Sequence, residues 1–321
     1  MKVLITGGAG FIGSHLVDAF MARNDQVIVI DNLSTGSRQN INHHDGNASF
    51  HFIWSDITNC PDLHELCRDC DLIIHLASSV GVKYIMENPL NSLESNVLGS
   101  IQIMKLAAAY KKRIIFFSTS EIYGKSNATH LREDDDRILG PSFRWSYSAC
   151  KAVGEYYLYA LGKEEGLHYN ICRCFNIVGP RQVGNYGMVL PRLVQQALNN
   201  EAMTIYDDGT QIRTFTYVLD VVKMIMHIAD HQEINQQTFN IGSENVISII
   251  ELAHKIKAHT NSSSSFVFLP SKEVYDEAFE DIQVRVPNID KLTALGVLYE
   301  PMDIDRIIAN VVDYYKTPIV H

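Results

Sequence analysis

The stretch Met1-Lys-Val-Leu-Ile-Thr-Gly-Gly-Ala-Gly-Phe-Ile-Gly-Ser-His15 decides the fold of this chain. Its apolar, β-branched start, Lys2 to Thr6, predicts one buried parallel strand. Gly7-x-x-Gly10-x-x-Gly13 follows, and the next apolar residues recur with helical spacing. A glycine turn between a strand and a helix predicts a dinucleotide site: Gly7 makes the turn, Gly10 admits a diphosphate and Gly13 lets the helix pack on the strand.

The second predicted strand, Gln26 to Ile30, ends at Asp31, about twenty residues after the glycines. A carboxylate at this place accepts hydrogen bonds from the adenosine ribose and repels a 2′-phosphate. The alternative is that Asp31 only opens the polar turn Asn32–Gly36. The position after a strand favours the first interpretation, so we expect NAD rather than NADP as cofactor.

Composition narrows the possible functions. The 321 residues are enough for one large domain or two associated ones, and the net charge of −10 argues against a nucleic-acid partner. No apolar run is long enough to span a membrane, and the N-terminus enters a strand at once, so we expect a cytoplasmic protein without a membrane partner. Cys67-Arg-Asp-Cys70 lacks a second ligand pair, so no metal site is predicted.

Alternating strands and helices predict an α/β fold: a Rossmann-type, doubly wound parallel sheet over residues 1–175 that binds NAD. Residues 176–321 are expected to form a smaller α+β region that binds the substrate, with some chain crossing between the two. Residues 125–143 are polar and acidic and predict a surface loop, which could act as a lid. In the second region helices are predicted at 189–199, 220–230, 248–258 and 303–315, and strands at 203–206, 212–218, 238–241 and 266–269.

Tyr147 and Lys151 are four residues apart in a predicted helix over 144–161, and therefore lie on one face. A nearby ammonium, with a positive nicotinamide ring, favours the phenolate and lowers the tyrosine pKa toward neutrality. Such a phenolate can remove a proton from a sugar hydroxyl while the ring accepts the hydride. Thr119, at the end of a predicted strand over 113–120, would share the same hydroxyl. A Tyr-x-x-x-Lys pair alone could equally be an exposed helix pair.

Together the motifs resemble the extended short-chain dehydrogenase/reductase family of NAD-dependent nucleotide-sugar epimerases, dehydratases and decarboxylases. The resemblance implies an NAD-binding Rossmann domain and a C-terminal region that binds a nucleoside-diphosphate sugar, expected to be a UDP-sugar. It also implies a Thr119/Tyr147/Lys151 triad that oxidises the sugar, usually at C4, and a homodimer built on the helices around Leu93–Tyr110 and Tyr147. The motifs are Thr6–Gly13, Asp31–Gly36, His75–Ala77, Ser118–Gly124, Tyr147–Lys151, Arg173–Pro180 and Arg213–Asp220.

Glu121 bears on which reaction follows the oxidation. A carboxylate two residues after Thr119 could remove the C5 proton of a 4-keto hexose, which leads to loss of water. Alternatively, a 4-keto uronic acid loses carbon dioxide, and Ser120 and Glu121 would orient or protonate the product. Glu121 could also be a structural carboxylate. The sequence Thr119-Ser-Glu121 resembles that of UDP-glucuronate decarboxylases, so we expect a decarboxylase or dehydratase; the alternatives are a UDP-sugar 4-epimerase and a non-catalytic NAD sensor.

The remaining site residues follow from the motifs and the resemblance. The predicted cofactor residues are Gly7, Gly10, Phe11, Ile12, Gly13, Asp31, Asn32, Ser34, Thr35, Gly36, Asp56, Ile57, Leu76, Ala77, Ser78, Asn96, Tyr147 and Lys151. The predicted substrate residues are Asn176, Val189, Arg192, Tyr206, Arg213 and Arg285. By the resemblance, Asn176 holds the sugar diphosphate and Tyr206 borders the nucleobase. The guanidinium fork of Arg213 suits a diphosphate and could also bind a C6 carboxylate; it is assigned to the diphosphate, because epimerases of the family carry an arginine at the matching place. Arg192 and Arg285 are phosphate ligands or surface ion-pair residues.

Overall fold

The computed structural model describes residues 1–79, 89–184, 188–274, 282–297 and 300–317. The strands are β1 (Lys2–Thr6), β2 (Gln26–Asp31), β3 (Phe50–Trp54), β4 (Leu72–His75), β5 (Arg113–Thr119), β6 (Tyr169–Cys174), β7 (Ile177–Val178), β8 (Met203–Tyr206), β9 (Ile212–Thr214), β10 (Thr216–Tyr217), β11 (Gln237–Ile241), β12 (Val246–Ser248), β13 (Phe266–Leu269) and β14 (Val284–Arg285). The helices are α1 (Phe11–Ala22), α2 (Leu63–Asp69), α3 (Pro89–Glu94), α4 (Ser100–Ala109), α5 (Ser146–Glu165), α6 (Val189–Leu198), α7 (Val218–Asp230), α8 (Ile249–Thr260), α9 (Ser271–Val274), α10 (Asp290–Thr293) and α11 (Ile304–Lys316).

Seven parallel strands form the central sheet in the order β11-β6-β5-β4-β1-β2-β3. Both faces are covered, so the strands carry apolar side chains on each side. One core packs α1 and α7 on the sheet, and the other packs α2, α4 and α5 on the opposite face. The predicted Rossmann-type, doubly wound sheet is confirmed, and its strand order reverses beside β1, which places ligands at that edge.

The second half of the chain builds a smaller α+β unit and also returns to the central sheet. Helices α6, α8 and α11 share a separate apolar core with β8. Strands β12, β9 and β14 form one small sheet, and β13 pairs with β8 in another. However, α7 and β11 belong to the central sheet and its core. A boundary at residue 175 therefore divides the sequence, while α7, β11 and α10, all after it, contribute to the core of the larger unit.

Three predicted elements differ in detail. The helix implied around Leu93–Tyr110 is interrupted by a π-helical turn at Ser95–Gly99 between α3 and α4. The strand expected over 212–218 breaks at Phe215, because β9 pairs with β12 and β14 whereas β10 pairs with β7. The helix expected from Arg144 begins at Ser146, after a 3₁₀ turn at Phe143–Trp145. In each case pairing and packing with distant segments override the local pattern.

The loop over residues 125–143, all of it described, is anchored and does not line the cavity at the carboxyl ends of the central strands. Leu131 is buried, and its amide donates to the Val286 carbonyl at 2.8 Å. Arg137 pairs with the fully buried Glu155 at 2.6 Å. The expectation of a lid over the site is wrong, because these contacts hold the loop against α5 and the segment after β14, and none of its residues lines the cavity.

Among the described residues, no helix combines the length and the apolar character needed to cross a membrane.

Candidate active site

One cavity of about 500 Å³ lies at the carboxyl ends of the central strands. It is lined by 24 of the predicted site residues: Gly7, Gly10, Phe11, Ile12, Gly13, Asp31, Asn32, Ser34, Thr35, Asp56, Ile57, Leu76, Ala77, Ser78, Thr119, Ser120, Glu121, Tyr147, Lys151, Asn176, Val189, Arg192, Tyr206 and Arg213. Gly36, Asn96 and Arg285 are absent from the wall. The residues expected to hold a cofactor and those expected to hold a substrate therefore share one space.

The glycine turn after β1 leaves no room for side chains. Gly7 has a φ of +74°, and its amide donates to the Ile30 carbonyl at 2.8 Å. A Cβ on Gly13 would lie 2.2 Å from the Gly7 carbonyl oxygen, and one on Gly10 would lie 3.2 Å from the same atom. The turn therefore brings bare backbone and the first turn of α1 to the cavity, which is the arrangement that binds a diphosphate.

Asp31 closes the other end of this cradle. It is 8% exposed, and its two carboxylate oxygens accept hydrogen bonds from the amides of Ala9 at 2.9 Å and Leu33 at 2.8 Å. Burial raises the pKa of the carboxyl, although the two amides act in the opposite direction. Asn32 donates to Asp56 at 2.8 Å beside it. These groups fit the ribose and adenine of a dinucleotide, so the chain fits the predicted cofactor.

Two predicted cofactor residues act from behind the wall. The Asn96 carboxamide oxygen accepts hydrogen bonds from the Ser78 hydroxyl at 2.8 Å and the Ser79 amide at 2.7 Å. Asn96 thus holds the turn after β4 instead of facing the cavity. Gly36 packs against the glycine turn, since a Cβ on it would lie 2.9 Å from the Ala9 carbonyl carbon and 3.1 Å from an Asp31 carboxylate oxygen.

The predicted triad converges at the carboxyl end of β5. Thr119 ends the strand, and its hydroxyl accepts a hydrogen bond from the Glu121 amide at 3.2 Å. Lys151, on α5, is 3% exposed and donates to the Phe117 carbonyl at 2.9 Å. Its Nζ lies 5.9 Å from the centroid of the Tyr147 ring. All three side chains line the cavity, so sequence spacing identified a real cluster.

Burial is the largest influence on the pKa of Tyr147. Burial, and next the negative charge of Glu121, raise the pKa of the phenol above its usual value, while a hydrogen bond with Ser78 acts to lower it. Burial also lowers the pKa of Lys151 to about 8. Burial therefore dominates the pKa of the phenol in the chain alone, and the expected lowering toward neutrality, which involves the positive nicotinamide ring as well as Lys151, stays a prediction.

Glu121 lies between two guanidinium groups. Arg144 donates to its two oxygens at 2.7 and 3.0 Å, and Arg285 donates to one of them at 3.1 Å. Burial would raise the pKa of the carboxyl, but the charges and hydrogen bonds of both arginines outweigh it and hold the pKa at about 2. Glu121 is consequently an anion at every working pH and a weak base.

The other end of the cavity carries the predicted substrate residues. The Asn176 side chain donates to the Thr214 carbonyl at 2.9 Å and accepts a hydrogen bond from Arg285. The Arg192 guanidinium carbon lies 4.5 Å from the centroid of the Tyr206 ring. Arg213 is 9% exposed and donates to the Ile212 carbonyl at 2.9 Å. Two cationic side chains and an aromatic ring therefore face this part of the cavity, which suits a nucleoside diphosphate.

Sequence reasoning missed several wall residues, of which Arg144 is the most consequential. It lies three residues before Tyr147, a spacing that puts two side chains on one side of a helix, and that signal was available. The partner of Arg144, by contrast, comes from another element. The other missed wall residues include Ser95, Cys174, Gln182, Met188, Gln211, Ile249 and Ser271.

Comparisons with curated proteins identify relatives over the full chain. A UDP-N-acetyl-α-D-glucosaminuronate decarboxylase of Bacillus cytotoxicus is 38% identical over 98% of this chain and 98% of its own length. UDP-glucuronic acid decarboxylase 1 of Danio rerio is 34% identical over 100% of this chain and 74% of its own.

Solved structures with the same fold include nucleotide-sugar epimerases. The UDP-glucuronic acid 4-epimerase of Bacillus cereus, in complex with UDP-glucuronic acid and NAD, matches with a TM-score of 0.89 and 29% identity over 98% of this chain and 99% of that one. The UDP-glucose 4-epimerase of Thermotoga maritima, with UDP-glucose, matches with a TM-score of 0.86 and 27% identity over 98% and 99%.

The model of the NAD-dependent epimerase/dehydratase family matches residues 3–242, which include the glycine turn, Asp31 and the Thr119/Tyr147/Lys151 cluster. The prediction of an NAD-dependent enzyme is confirmed, and so is the family suggested by the motifs. On the evidence of the family model and of these relatives, the chain belongs to the NAD-dependent epimerase/dehydratase family.

Proposed function

We propose that this enzyme oxidises C4 of a UDP-linked uronic acid and decarboxylates the resulting 4-keto sugar. Support comes from the named decarboxylases among its relatives, at 38% and 34% identity. Bound NAD would accept the C4 hydride and bring a positive ring beside Tyr147. Tyr147 would take the proton of the C4 hydroxyl, Thr119 would hold that hydroxyl, and Lys151 would stabilise the phenolate.

The observation that carries this proposal is the state of Glu121. Dehydration of a 4-keto hexose needs a base that removes the C5 proton, and a carboxylate with a pKa of about 2, bound by two arginines, is a poor base. Decarboxylation needs no such base. The bond between C5 and the carboxylate carbon breaks, carbon dioxide leaves, and the electron pair passes into the C4 ketone as an enolate. A positively charged pair of guanidinium groups suits an anionic sugar better than a neutral one.

The nucleotide is proposed to lie toward Tyr206, with Arg192 and Arg213 at the diphosphate and Asn176 and Val189 beside it. The two arginines and the ring line the same part of the cavity. Ser120, which is 2% exposed and also on the wall, is proposed to contact the sugar near Thr119. This arrangement would leave the sugar between the nucleotide and the catalytic cluster.

A UDP-glucuronate 4-epimerase is the second candidate. The observation that favours it is the likeness to the Bacillus cereus epimerase, whose structure contains UDP-glucuronic acid and NAD. An epimerase would keep the carboxylate while the 4-keto sugar turns and is reduced on its other face. The two candidates share the triad and the cofactor, and differ in whether the carboxylate is retained.

A product assay by mass spectrometry separates the candidates. The protein with NAD would be incubated with UDP-glucuronate, its N-acetylglucosamine analogue (UDP-N-acetylglucosaminuronate) and, as a neutral control, UDP-glucose. We expect a loss of about 44 mass units from a uronate and no change in UDP-glucose. A new isomer of unchanged mass would establish the epimerase, and a loss of about 18 from UDP-glucose would establish a dehydratase. Tyr147→Phe serves as the inactive control.

The homodimer and the cytoplasmic location belong to the same proposal. The helices implied in dimer formation expose Leu98 at 57%, Val153 at 45% and Tyr156 at 62%, and burial of such a face against a second copy would remove apolar surface from water. The six cysteines are free thiols, as is usual in a reducing compartment. Analytical ultracentrifugation tests the dimer, and Tyr156→Glu should shift it toward the monomer.

A further inference from the structure

Arg144 presents a guanidinium group on the wall of the cavity next to the catalytic cluster. The residue is 6% exposed, and its guanidinium group donates hydrogen bonds to both oxygens of Glu121, at 2.7 and 3.0 Å. The second arginine on this carboxylate, Arg285, is absent from the wall and bonds Asn176 as well. Of the two cations that hold Glu121, Arg144 is therefore the one that a ligand in the cavity meets.

Glu121 is shared by two guanidinium groups. Arg144 and Arg285 contribute two cations, whereas Glu121 contributes one anion and Asn176 is neutral. Tyr147, the neighbouring titratable group, is held neutral because burial raises its pKa. The attraction between a guanidinium group and an anion is stronger in a buried site than in water, so an anion that enters the cavity beside Arg144 gains more than it would at the surface.

We propose that Arg144 is the residue that recognises the carboxylate of the substrate, and that Glu121 is an internal anion that competes with it. This inference rests on the proposed function and names a residue for its specificity. Arg144 precedes Tyr147 by three residues, which places the two side chains on one side of the chain entering α5. The C4 hydroxyl and the carboxylate sit on adjacent ring carbons, so a sugar held by Tyr147 brings its carboxylate toward Arg144.

The other cavity arginines are less suited to this task. Arg192 stacks on Tyr206 and donates to the Thr204 carbonyl at 2.9 Å. Arg213 donates to the carbonyls of Ile212 and Gln283. Both lie in the part of the cavity assigned to the nucleotide. A guanidinium fork that already binds one carboxylate side-on has the geometry to bind another, provided that Glu121 gives up part of its contact.

Competition between Glu121 and the substrate carboxylate predicts the direction in which the affinity for a uronate changes when Glu121 is replaced. Replacement of Glu121 by the isosteric Gln removes the competing charge and leaves two guanidinium groups without their anion. The affinity for a uronate should then rise, although turnover falls. If Glu121 were instead a base or a direct ligand of the sugar, the same change would weaken binding or leave it unaltered.

Binding would be measured by isothermal titration calorimetry of the NAD-loaded protein with UDP-glucuronate and UDP-glucose. We expect Arg144→Gln to lower the affinity for UDP-glucuronate by about 10- to 100-fold, the range for a hydrogen bond to a charged group, and to change UDP-glucose by less than about threefold. Arg144→Lys keeps the charge without the fork and should lose about tenfold. Glu121→Gln should gain about three- to tenfold for UDP-glucuronate.

Arg137→Gln is the matched control, because Arg137 also pairs with a buried glutamate, Glu155 at 2.6 Å, but lies outside the cavity. It should leave both affinities unchanged. Equal losses for both ligands in Arg144→Gln would overturn the proposal, and so would weaker uronate binding in Glu121→Gln. If Arg144→Gln does not fold, Arg144→Lys and Glu121→Gln decide the matter.

This test is independent of the reaction. If the product assay finds no loss of carbon dioxide, but uronate selectivity still follows Arg144, decarboxylation fails and the carboxylate receptor stands. If carbon dioxide is lost but Arg144 has no effect on selectivity, the reverse holds.

Discussion

The two halves of the cavity are built in different ways. The cofactor half comes from short contiguous segments at the ends of β1, β2 and β4, and its contacts are mainly backbone amides and tight glycine packing. The sugar half is held by charge: Glu121, Arg144 and Arg285 come from three distant segments and meet only in the folded chain. The comparison suggests that a common cofactor needs a fixed local motif, whereas a particular substrate is read by charged groups that long-range packing assembles.

The largest expected effect is on the chemistry where the two halves meet. Tyr147→Phe removes the group that would transfer the proton, so turnover should fall by about 10²- to 10⁴-fold, the range for general acid–base catalysis. NAD affinity should change little, because the cradle from Gly7 to Asp31 is untouched. Turnover and NAD titration are measured on the same preparation. A variant that keeps near-normal turnover would remove Tyr147 from the mechanism.

The next effect tests the charged half. Glu121→Gln should lower the free energy of unfolding by about 3 kcal/mol at pH 7, because it leaves two partly buried guanidinium groups without their anion. The folded pKa of Glu121, about 2, lies below the ordinary value of 4.5. Its contribution is therefore complete above pH 4.5 and is lost as the pH falls toward 2.

The difference between wild type and Glu121→Gln should consequently shrink by about 1 kcal/mol between pH 7 and pH 3.5. Urea denaturation at several pH values measures it. The exposed Glu165→Gln is the control and should stay within about 0.5 kcal/mol of wild type throughout. A pH-independent difference would mean that Glu121 is not held by the arginines in solution.

A smaller effect tests the cofactor half. A methyl group at Gly13 would lie 2.2 Å from the Gly7 carbonyl oxygen, so Gly13→Ala must displace backbone and should cost about 2 kcal/mol of stability. NAD binding should weaken with it. In Gly99→Ala the nearest atom is 3.9 Å away, in Thr58, so this helical control should be neutral or stabilising. Thermal unfolding with and without NAD compares them; equal behaviour would show that the turn tolerates a side chain.

The smallest expected effect is on cofactor choice. Asp31→Asn keeps the shape but removes the charge that repels a 2′-phosphate, and it turns an amide donor toward the amides of Ala9 or Leu33. The preference for NAD over NADP should fall by about tenfold, or about 1.4 kcal/mol. Fluorescence titration with both cofactors measures it, with the exposed Asp45→Asn as control. An unchanged preference would assign the discrimination to other residues.

Much of this architecture could be predicted from the sequence. The bounds of β1, β8 and β13 match the predicted ranges, because each is a short apolar run between turn residues. The break at Phe215 could not be predicted, since it depends on which sheet each half of the segment joins. The position of Asn96 could not be predicted either. Its place in a helical stretch did not indicate that its side chain would bond Ser78 and Ser79 from behind the cavity wall.

By itself, the sequence determined the strand–glycine–helix start, Asp31 and the Tyr147/Lys151 spacing, and with them the fold, the family and the cofactor. These features are local: a turn or a helix face is specified by residues a few positions apart. Only the tertiary structure decided that Glu121 is an ion-paired anion and not a free base, that Arg144 faces the cavity, and that burial raises the pKa of Tyr147. A charge takes its pKa and its role from neighbours and burial, and both are fixed by contacts between distant segments.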